Sequence, residues 1–486
     1  MTDTTVESRR GMRRIAIEPL SRVEGHGKVT LLLDEAGHVR QARLHIVEFR
    51  GFEKFVQGRP YWEVPVMVQR LCGICPVSHH LAAAKAFDQV IGATQLTPVA
   101  EKLRRLMHYG QVLQSHALHF FHLASPDLLF GFGSDAARRN VVGLAAAHPD
   151  LARRGVLLRK FGQEVIRATA GKRIHGTGAI PGGVNKPLSA ADRDVLRAGA
   201  GQAVDWSHDA VQLVRHLFEH NLALYRDFAT FPAHGLCLVR GDGALDLYHG
   251  GLRARSADGA TLFDHVDYGH YWEQILEEVK PWSYMKFPFL RALGPEDGWY
   301  RVGPLTRVAQ CDFIPSERAE RARQEFLAFD DGRAARATLG FHWARMIEML
   351  HAAEVIGALL EDESLLDGSS LTTSGPRQAR GVGVIEAPRG TLIHHYRVAP
   401  DDTIVRANLI VSTTHNNEAM NVAIREVARR HLDGRQLTEG LLNHVEVAIR
   451  AFDPCLSCAT HALGKMPLSL ELLDPDGSLV GTLARD

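Results

Sequence analysis

Two short segments decide the fold of this chain: RLCGICPVSH at residues 70–79 and DPCLSCATH at residues 453–461. Each segment contains one Cys-x-x-Cys pair. Two thiols at this spacing can reach a single metal ion, because a turn or the start of a helix brings positions i and i+3 together. Soft thiolate ligands favour nickel, zinc, copper(I) or iron over hard cations. A metal ion bound by both pairs would join opposite ends of the chain inside a large core.

The cysteine spacing alone leaves other interpretations open. A single Cys-x-x-Cys pair can be redox-active, and two such pairs can hold a structural zinc ion. Structural zinc sites of this kind usually staple a small module, with the pairs roughly 15–20 residues apart. Here the pairs are far apart in the sequence. The two other cysteines, Cys237 and Cys311, lack a partner motif, and we predict that both are core thiols.

The composition narrows the class of protein. The 486 residues include 56 Lys+Arg and 56 Asp+Glu, and 45% are hydrophobic. These values predict a folded chain with a large core, and the absence of basic excess argues against a nucleic-acid partner. Residues 1–14 are polar, and no run of 18 apolar residues occurs. We therefore expect no secretory signal, no membrane span and a cytoplasmic location.

The predicted fold class is mainly α with small β additions, as a bundle of long helices with an N-terminal antiparallel β element. The apolar run 28–33, the turn 34–37 and the alternation 39–47 place that β element at about residues 13–50. No repeat or long linker divides the chain, so residues 1–461 are expected to form a single domain. Residues 230–310 mix short strands, turns and aromatic residues and allow no firm placement.

Three long helices are predicted from apolar residues at helical spacing. The first begins at Thr97-Pro98, which looks like an N-cap followed by a proline at the first helical position. The second covers 337–360, and the third covers 438–450. A glycine-containing segment at 131–136 loosely fits a dinucleotide fingerprint, but it lacks a preceding strand, and we expect no NAD site there.

The two cysteine segments resemble the signatures of the large subunits of [NiFe] hydrogenases. Further segments agree with that family in the same order: RVEGH at 22–26, RGFE at 50–53, PGGV at 181–184 and EAPRG at 386–390. The resemblance extends from about Ile15 to His461. Its finer details are most similar to the large subunits of soluble, NAD-reducing bidirectional enzymes. The segments that carry those details are VEFRGFEKFVQG at 47–58, WSYMKFP at 282–288 and CLSCATHALG at 455–464.

The resemblance implies a nickel–iron centre that cleaves and forms dihydrogen. All four cysteines would bind nickel, with Cys72 and Cys455 as terminal ligands and Cys75 and Cys458 bridging to iron. The iron in this family also carries carbon monoxide and two cyanides. A terminal thiolate, Cys455 by the same analogy, would take the proton released when dihydrogen is split.

The resemblance also assigns roles to residues around the metals. Glu24 would relay the proton, since burial can raise the pKa of a carboxylate enough to make it a shuttle. Arg389 would lie over the metals, where its fixed fork suits an anionic cyanide, and Asp453 would pair with it. Leu392 and Thr413 would line the cyanide pocket. His79 would hydrogen-bond a bridging thiolate and tune it.

Read without the family, these residues have ordinary interpretations. Glu24 is then a charged residue beside a glycine turn, Arg389 lies in a loop, and Thr413 is a strand threonine. A lone histidine such as His79 is commonly a core residue. One position departs from the family: many members have an aspartate in the long helix where this chain has Ser115. The resemblance gives no carboxylate role to that position.

A site for a hard cation of the magnesium type is implied near residue 461. Glu53 and His461 match the family's ligands, joined by a backbone carbonyl that we assign to Asn417. Magnesium usually takes few protein ligands and keeps several waters. Considered by itself, Glu53 would be a surface carboxylate.

Residues 462–486 extend beyond His461. In the family, an endopeptidase removes such an extension after nickel-insertion chaperones have acted, cutting just after that histidine. We therefore predict cleavage between His461 and Ala462. The alternative is that residues 468–473 form an ordinary C-terminal strand that is retained.

No cysteines remain for iron–sulfur clusters, so electrons would leave through partners. The family implies an iron–sulfur small subunit, and the NAD-reducing type adds diaphorase subunits with FMN and NAD sites. The predicted function is therefore the catalytic large subunit of a cytoplasmic bidirectional [NiFe] hydrogenase linked to NAD(H), with dihydrogen and protons as substrates. Alternatives are an NADP-linked or hydrogen-sensing hydrogenase, a non-catalytic subunit of an electron-transfer complex, and a structural-zinc protein.

Overall fold

The structure is a computed structural model that describes residues 13–46, 48–93, 95–372, 374–432, 438–460, 468–473 and 479–485. The α-helices of this part of the chain are α1 Phe52–Phe55, α2 Val64–Met67, α3 Pro76–Val90, α4 Pro98–Leu118, α5 Ser125–Phe130, α6 Val141–Ala147, α7 Pro149–Ala170, α8 Ala190–His220, α9 Leu222–Asp227, α10 Gly294–Asp297, α11 Pro304–Gln310, α12 Glu317–Ala328, α13 Gly340–Glu361, α14 Ser412–His415, α15 Asn417–His431 and α16 Glu439–Ala451. The strands are β1 Arg13–Ile17, β2 Gly27–Leu33, β3 Val39–Ile46, β4 Ala179–Ile180, β5 Gly183–Val184, β6 His234–Val239, β7 Gly251–Arg255, β8 Thr261–Val266, β9 Ile275–Val279, β10 Lys286–Leu290, β11 Tyr300–Arg301, β12 Arg380–Ala387, β13 Gly390–Val398, β14 Ile404–Ile410, β15 Leu468–Leu473 and β16 Leu479–Arg485. The predicted class, mainly α with small sheets, is confirmed.

The N-terminal β element is an antiparallel sheet in the order β1-β2-β3. Buried and half-buried residues alternate along β2, as expected for a strand with one face on the core. The apolar run, turn and alternation seen in the sequence therefore correspond to β2, the β2–β3 turn and β3.

The three predicted long helices are present with bounds within a few residues of the prediction. Thr97 caps α4, since its hydroxyl accepts a hydrogen bond from Ala100 N at 3.2 Å. A π-helical turn at His119–Ala124 continues α4 into α5. The second and third predicted helices are α13 and α16, and Thr438 caps α16.

The long helices form the main core. Helix α4 packs against α7 and α13, and α13 packs against α8. Helix α13 is buried around most of its circumference: Trp343, Met346 and Leu350 are all fully covered. Helices α7 and α8 did not stand out in the sequence, although α8 is the longest helix in the described residues.

A second layer carries the functional site. The antiparallel sheet β12-β13-β14 packs against α3. Glycine allows this close approach, because a Cβ atom at Gly383 would lie 2.0 Å from the carbonyl oxygen of Ala82 in α3. The packing fixes the N-terminus of α3, which follows Cys75, against the β12–β13 turn, which contains Arg389.

The segment at 230–310 forms small sheets. Strands β11, β6, β7 and β8 form one sheet, in which β11 is parallel to β6, and β9 and β10 form a hairpin. Helix α5, not a strand, precedes the glycine-containing segment at 131–136. This context does not fit a dinucleotide-binding turn.

Within the described residues, every helix is too short or too polar to cross a bilayer.

Candidate metal centre

The thiols of the two cysteine pairs converge on one buried point. Their sulfur atoms lie within 4.8 Å of one another. Cys72 Sγ is 3.2 Å from Cys455 Sγ, and Cys75 Sγ is 4.0 Å from Cys458 Sγ. Each of these contacts joins residues 383 positions apart. All four side chains are at most 5% exposed.

The first pair lies between two helical segments. A 3-10 helix, Val68–Leu71, ends immediately before Cys72, and α3 begins immediately after Cys75 with Pro76. The turn between them aims two backbone N–H groups at the Cys72 sulfur, from Ile74 at 3.3 Å and from Cys75 at 3.2 Å. These donors stabilise a thiolate at Cys72.

The second pair follows the end of α16. Asp453 adopts a positive φ of 53°, which turns the chain toward the centre. Cys455 N then donates to Thr413 Oγ1 at 2.9 Å, and Leu456 N donates to the carbonyl oxygen of Glu24 at 2.9 Å. The second pair is therefore held by two distant segments of chain.

The thiols of Cys72, Cys455 and Cys458 differ in the direction of their pKa shifts. Burial raises the pKa values of Cys455 and Cys458 well above the ordinary thiol value. Burial also opposes ionisation of Cys72, but hydrogen bonds from the neighbouring thiols outweigh it and lower the Cys72 pKa well below the ordinary value. A cluster of close thiols that cannot all ionise alone is a typical environment for a cationic metal centre.

Glu24 lies directly against the second pair. Cys455 Sγ donates to its Oε2 at 2.8 Å, and the Ser457 hydroxyl donates to its Oε1. Gly25, at a φ of +81°, allows this approach, since a Cβ atom there would lie 2.7 Å from Ser457 N. Burial, together with the negative charge of Cys72, raises the pKa of Glu24 above the ordinary glutamate value.

Arg389 and Asp453 form a buried pair beside the thiols. Arg389 Nε donates to the carbonyl oxygen of Asp453 at 2.6 Å, and Nη2 donates to Asp453 Oδ1 at 3.1 Å. Burial disfavours the charge of Arg389, but Asp453 and the thiolates outweigh burial and raise its pKa well above the ordinary value. Ser115 Oγ lies 3.5 Å from Arg389 Nη1, so a hydroxyl group stands at the position where many family members have aspartate.

A small enclosed cavity borders the centre. Its lining includes Cys75, Cys455, Arg389, Leu392 and Thr413. The cavity lies beside the sulfur atoms of Cys75 and Cys455. The residues present thus fit a nickel–iron centre with small ligands on iron: soft thiolates for the metals, and a guanidinium, a hydroxyl and an apolar wall for the ligands.

His79 also lines this cavity. Its Nδ1 atom shares a hydrogen bond of 3.1 Å with His394 Nε2, and His394 Nδ1 shares one of 2.7 Å with the hydroxyl of Tyr396. The three rings connect α3 with β13, where His394 and Tyr396 lie. The hydrogen bond from His79 to a bridging thiolate remains a prediction.

The residues of the expected hard-cation site lie close to one lysine. Glu53 is 7% exposed, and its Oε1 accepts hydrogen bonds from Leu409 N at 2.7 Å and from Lys286 Nζ at 3.2 Å. Asn417 Nδ2 donates to the carbonyl oxygen of the same Lys286 at 2.6 Å. His461 lies outside the described residues.

Two observations fit a cation here. The side-chain oxygen of Asn417 is buried and has no hydrogen-bond partner among the described residues. Arg50 N donates to the carbonyl oxygen of Thr460 at 3.0 Å, so the segment that leads into residue 461 lies beside α1, which carries Glu53. The alternative prediction that Glu53 is a surface carboxylate is wrong, since the side chain is buried.

Sequence reasoning missed three residues: Ser457 beside Glu24, His394 beside His79, and Lys286 beside Glu53. Ser457 lies between the two cysteines of the second pair, so a hydroxyl inside a metal-binding motif was a usable signal. No such signal exists in the sequence for His394 and Lys286, because their partners are distant along the chain. Cys237 and Cys311 are buried free thiols, as predicted.

Comparison with known proteins also indicates a metal-binding hydrogenase subunit. A family model described as nickel-dependent hydrogenase matches residues 50–130 and 244–461, and a model described as HoxL-like matches residues 14–49. The NAD-reducing hydrogenase HoxS subunit beta of Cupriavidus necator is 48% identical, over 97% of this chain and 100% of the relative. A subunit of the F420-non-reducing hydrogenase of Methanothermobacter thermautotrophicus is 42% identical, over 96% of this chain and 99% of the relative.

Solved structures agree. An NAD+-reducing [NiFe]-hydrogenase in the H2-reduced state superimposes with a TM-score of 0.91 and 62% identity, covering 92% of this chain and 99% of the other. A [NiFeSe]-hydrogenase of Dm. baculatum has a TM-score of 0.74 at 23% identity and covers 93% of this chain and 100% of its own, which shows a shared fold.

The fold and the buried four-thiol centre define a metal-dependent oxidoreductase. The chain belongs to the nickel-dependent hydrogenase family, as a large subunit.

Proposed function

We propose that this chain is the dihydrogen-activating subunit of a bidirectional [NiFe] hydrogenase that exchanges electrons with NAD(H) through partner subunits. The convergence of four buried thiols from distant parts of the sequence carries the proposal. The link to NAD rests on the two similar proteins whose names include NAD reduction, one of them 62% identical. NAD coupling also favours a cytoplasmic location.

The four cysteines would hold the metals. Cys72 and Cys455 would be terminal nickel ligands, and Cys75 and Cys458 would bridge to an iron that carries carbon monoxide and two cyanides. When bound, this centre supplies the heterolytic activation of dihydrogen. The cavity bordered by Cys75, Arg389, Leu392 and Thr413 supports this arrangement, because it provides a donor and an apolar wall for such ligands.

The proton would leave through Cys455 and Glu24. The Cys455 thiol already donates to Glu24 Oε2 at 2.8 Å, so one proton transfer along an existing hydrogen bond moves the proton onto the carboxylate. Ser457, bonded to the other oxygen, holds the carboxylate in place.

Arg389 would fix the environment of the metals. Its two hydrogen bonds to Asp453 orient the guanidinium and leave its remaining N–H groups for the cavity. Asp453 would act by positioning Arg389. His79, restrained by His394, would orient toward the bridging sulfur atoms from the opposite wall.

Electron transfer would require other chains. Four of the six cysteines form the centre, and Cys237 and Cys311 are isolated, so no set of cysteines remains for an iron–sulfur cluster. We therefore assign the iron–sulfur clusters to a small subunit, and FMN and NAD to diaphorase subunits.

A magnesium-type cation would be held by Glu53, the backbone carbonyl oxygen of Asn417 and His461. The unpartnered Asn417 side-chain oxygen and the nearby Glu53 support a cation at this place. In this structure Lys286 Nζ donates a hydrogen bond to the Glu53 carboxylate. A cation bound to Glu53 would displace this ammonium group toward Glu277, from which it is 3.4 Å away.

Residues 1–461 would form the mature domain, and residues 462–486 would be removed by a maturation endopeptidase after chaperones insert nickel. Within this extension the structure shows an antiparallel pair, β15 and β16. Mass spectrometry of the purified, active enzyme should give a C-terminus at His461; an active enzyme that retains Ala462 would contradict cleavage.

The decisive experiment is metal analysis combined with infrared spectroscopy of the purified complex. We expect one nickel ion per chain, infrared bands of iron-bound carbon monoxide and cyanide, and reduction of NAD under dihydrogen. Zinc alone, without these bands, would contradict the proposal.

The relative at 42% identity is named an F420-non-reducing hydrogenase, and that name gives no link to NAD. A large subunit whose electrons pass to an acceptor other than NAD would give the same metal content and infrared bands. Rates with NAD, NADP and an artificial dye, measured on the same complex, distinguish the candidates.

A further inference from the structure

Arg301 is a buried arginine without an ionic partner. It is 9% exposed, and no carboxylate lies within ion-pair distance among the described residues. Two other buried arginines are paired: Arg104 with Asp88 at 2.6 Å, and Arg307 with Glu348 at 2.5 Å. One N–H group of Arg301, Nη1, has no hydrogen-bond partner in the described structure. Burial lowers the pKa of Arg301 to about 10, and no acidic neighbour opposes this effect.

The position of Arg301 in its sheet places a second arginine near it. Arg301 of β11 lies opposite Gly235 of β6, and Gly235 lies opposite Arg255 of β7. Residues opposite one another on adjacent strands project from the same face, so the two arginines flank a glycine about 10 Å apart. The carboxamide of Gln310 covers that glycine, since a Cβ atom at Gly235 would lie 2.1 Å from Gln310 Nε2. The Nε atom of Arg255 is also buried without a partner.

Both arginines line one cavity of about 340 Å3. Its other charged lining groups are Arg336, which is exposed, and Asp258, whose carboxylate accepts a hydrogen bond from the hydroxyl of Ser256. Asp312 is 3.7 Å from Arg255 Nη2 but is shared with Arg253. The histidine in the lining, His234, uses both ring nitrogens in contacts with backbone groups.

We propose that this cavity binds the phosphate group of a small phosphorylated molecule beside Arg301 and Arg255, which both line it. The guanidinium groups that line the cavity supply positive charge and hydrogen-bond donors, and a phosphate supplies several acceptor oxygens and the missing negative charge. The site lies on the β6–β7–β11 sheet beneath α11, and its lining shares no residue with that of the metal centre.

The size of the cavity indicates more than a free phosphate ion. Ligand pockets in proteins usually have volumes of about 300–1,000 Å3. The phosphate would occupy the arginine end, and the apolar side chains of Leu305, Ala309 and Leu327 would contact the rest of the ligand. The proposal does not depend on the electron acceptor or on the metals.

Calorimetric titration of the purified complex with inorganic phosphate and with AMP, at constant ionic strength, tests the site. Saturable binding of AMP that is tighter than binding of phosphate and is lost in Arg301→Met supports a phosphorylated ligand, because binding of AMP at the NAD site of a diaphorase subunit would survive that change. Equal binding of phosphate and AMP supports a site for free phosphate. Acetate serves as the anion without a phosphate group. The absence of saturable binding by both phosphate and AMP would overturn the proposal.

Variants separate binding from folding. Arg301→Met removes the buried cation but keeps the length of the side chain, so binding should be lost while stability without ligand is not reduced. Arg336→Ala, at an exposed position, should weaken binding by about tenfold. Arg321→Ala removes the same charge outside the cavity and should bind like the parent. Parent-like binding in Arg301→Met would refute the site, and Arg336→Ala tests the cavity even if Arg301→Met fails to fold.

Discussion

The carboxylate of Glu24 and the thiol of Cys455 are 2.8 Å apart, although the two residues are 431 positions apart in the sequence. A main-chain hydrogen bond of 2.9 Å from Leu456 N to Glu24 O reinforces this contact. Since the backbone fixes the relative position of the two segments, the chemistry of the Glu24 side chain can be changed without moving it.

Glu24→Gln should abolish proton transfer and leave the metal centre intact. The amide keeps the shape of the side chain and the main-chain contact but cannot carry the proton. We expect hydrogen-isotope exchange between dihydrogen and water to fall by at least about 100-fold. Nickel content should match the parent. The surface variant Glu18→Gln serves as control, and exchange at the parent rate in Glu24→Gln would exclude Glu24 as the relay.

Cys455→Ser should eliminate hydrogen turnover and deplete nickel. A hydroxyl group is a poor ligand for a soft metal, but it has nearly the same size as a thiol, so the fold should persist. Metal analysis and circular dichroism give the two readouts. The control is Cys237→Ser, in a buried thiol away from the centre, which should keep its nickel. Normal turnover in Cys455→Ser would contradict the assigned ligand set.

Arg389→Lys should lower turnover by about 100-fold while keeping the positive charge. Lysine cannot make the two simultaneous hydrogen bonds to Asp453 that orient the guanidinium. Ser115→Ala should have little effect, because the contact between Ser115 Oγ and Arg389 Nη1 is long, at 3.5 Å. If Arg389→Lys and Ser115→Ala have the same turnover, the orientation of the Arg389 guanidinium does not determine the rate.

Arg307→Met should destabilise the fold strongly. Arg307 joins Glu348 at 2.5 Å and Glu386 at 2.8 Å, and all three side chains are fully buried. Removal of the cation leaves two buried carboxylates without their partner, at a cost of about 3–5 kcal/mol in the free energy of unfolding. Urea titration measures this. The exposed pair Arg318–Asp205 provides the contrast, since Arg318→Met should cost at most about 1 kcal/mol.

Stability should fall as the pH drops below 6.5. Burial lowers the pKa values of His108 and His351 to about 4 and that of His415 to about 3. The unfolded chain binds protons at these residues near pH 6.5, whereas the folded chain does so only near pH 4 or below. The stabilisation is therefore complete above about pH 6.5 and is lost progressively toward pH 4.

Urea unfolding at about pH 7.5 and pH 5 tests this pH dependence. His351→Gln should reduce the loss of stability between the two conditions, and the exposed variant His220→Gln should leave it unchanged. Equal stability of the parent at both pH values would contradict the prediction.

The sequence predicted the centre better than it predicted the fold around it. The cysteine pairs are local motifs, and their spacing alone permits metal binding. Helix α4 was predictable because a capping threonine precedes an apolar stripe. Helix α8 escaped notice because small residues, such as Ala200, Ala203 and Ser207, occupy much of its buried face, and these give only a weak hydrophobic signal.

Most of the other features that the sequence did not predict depend on contacts between distant parts of the chain. Strand β11 has two residues and pairs in parallel with β6, far away in the sequence, so nothing local marks it as a strand. The contact between Lys286 and Glu53 spans 233 residues. Such partners become visible only after the fold has brought their elements together.

The separation of 383 positions between Cys72 and Cys455 sets the timing of assembly. At about 5–20 residues per second, a ribosome needs about 20–80 s to travel from the first ligand to the last. During that interval the first two thiols are exposed on a nascent chain without their counterparts, so loading of the cofactor is necessarily a post-translational step.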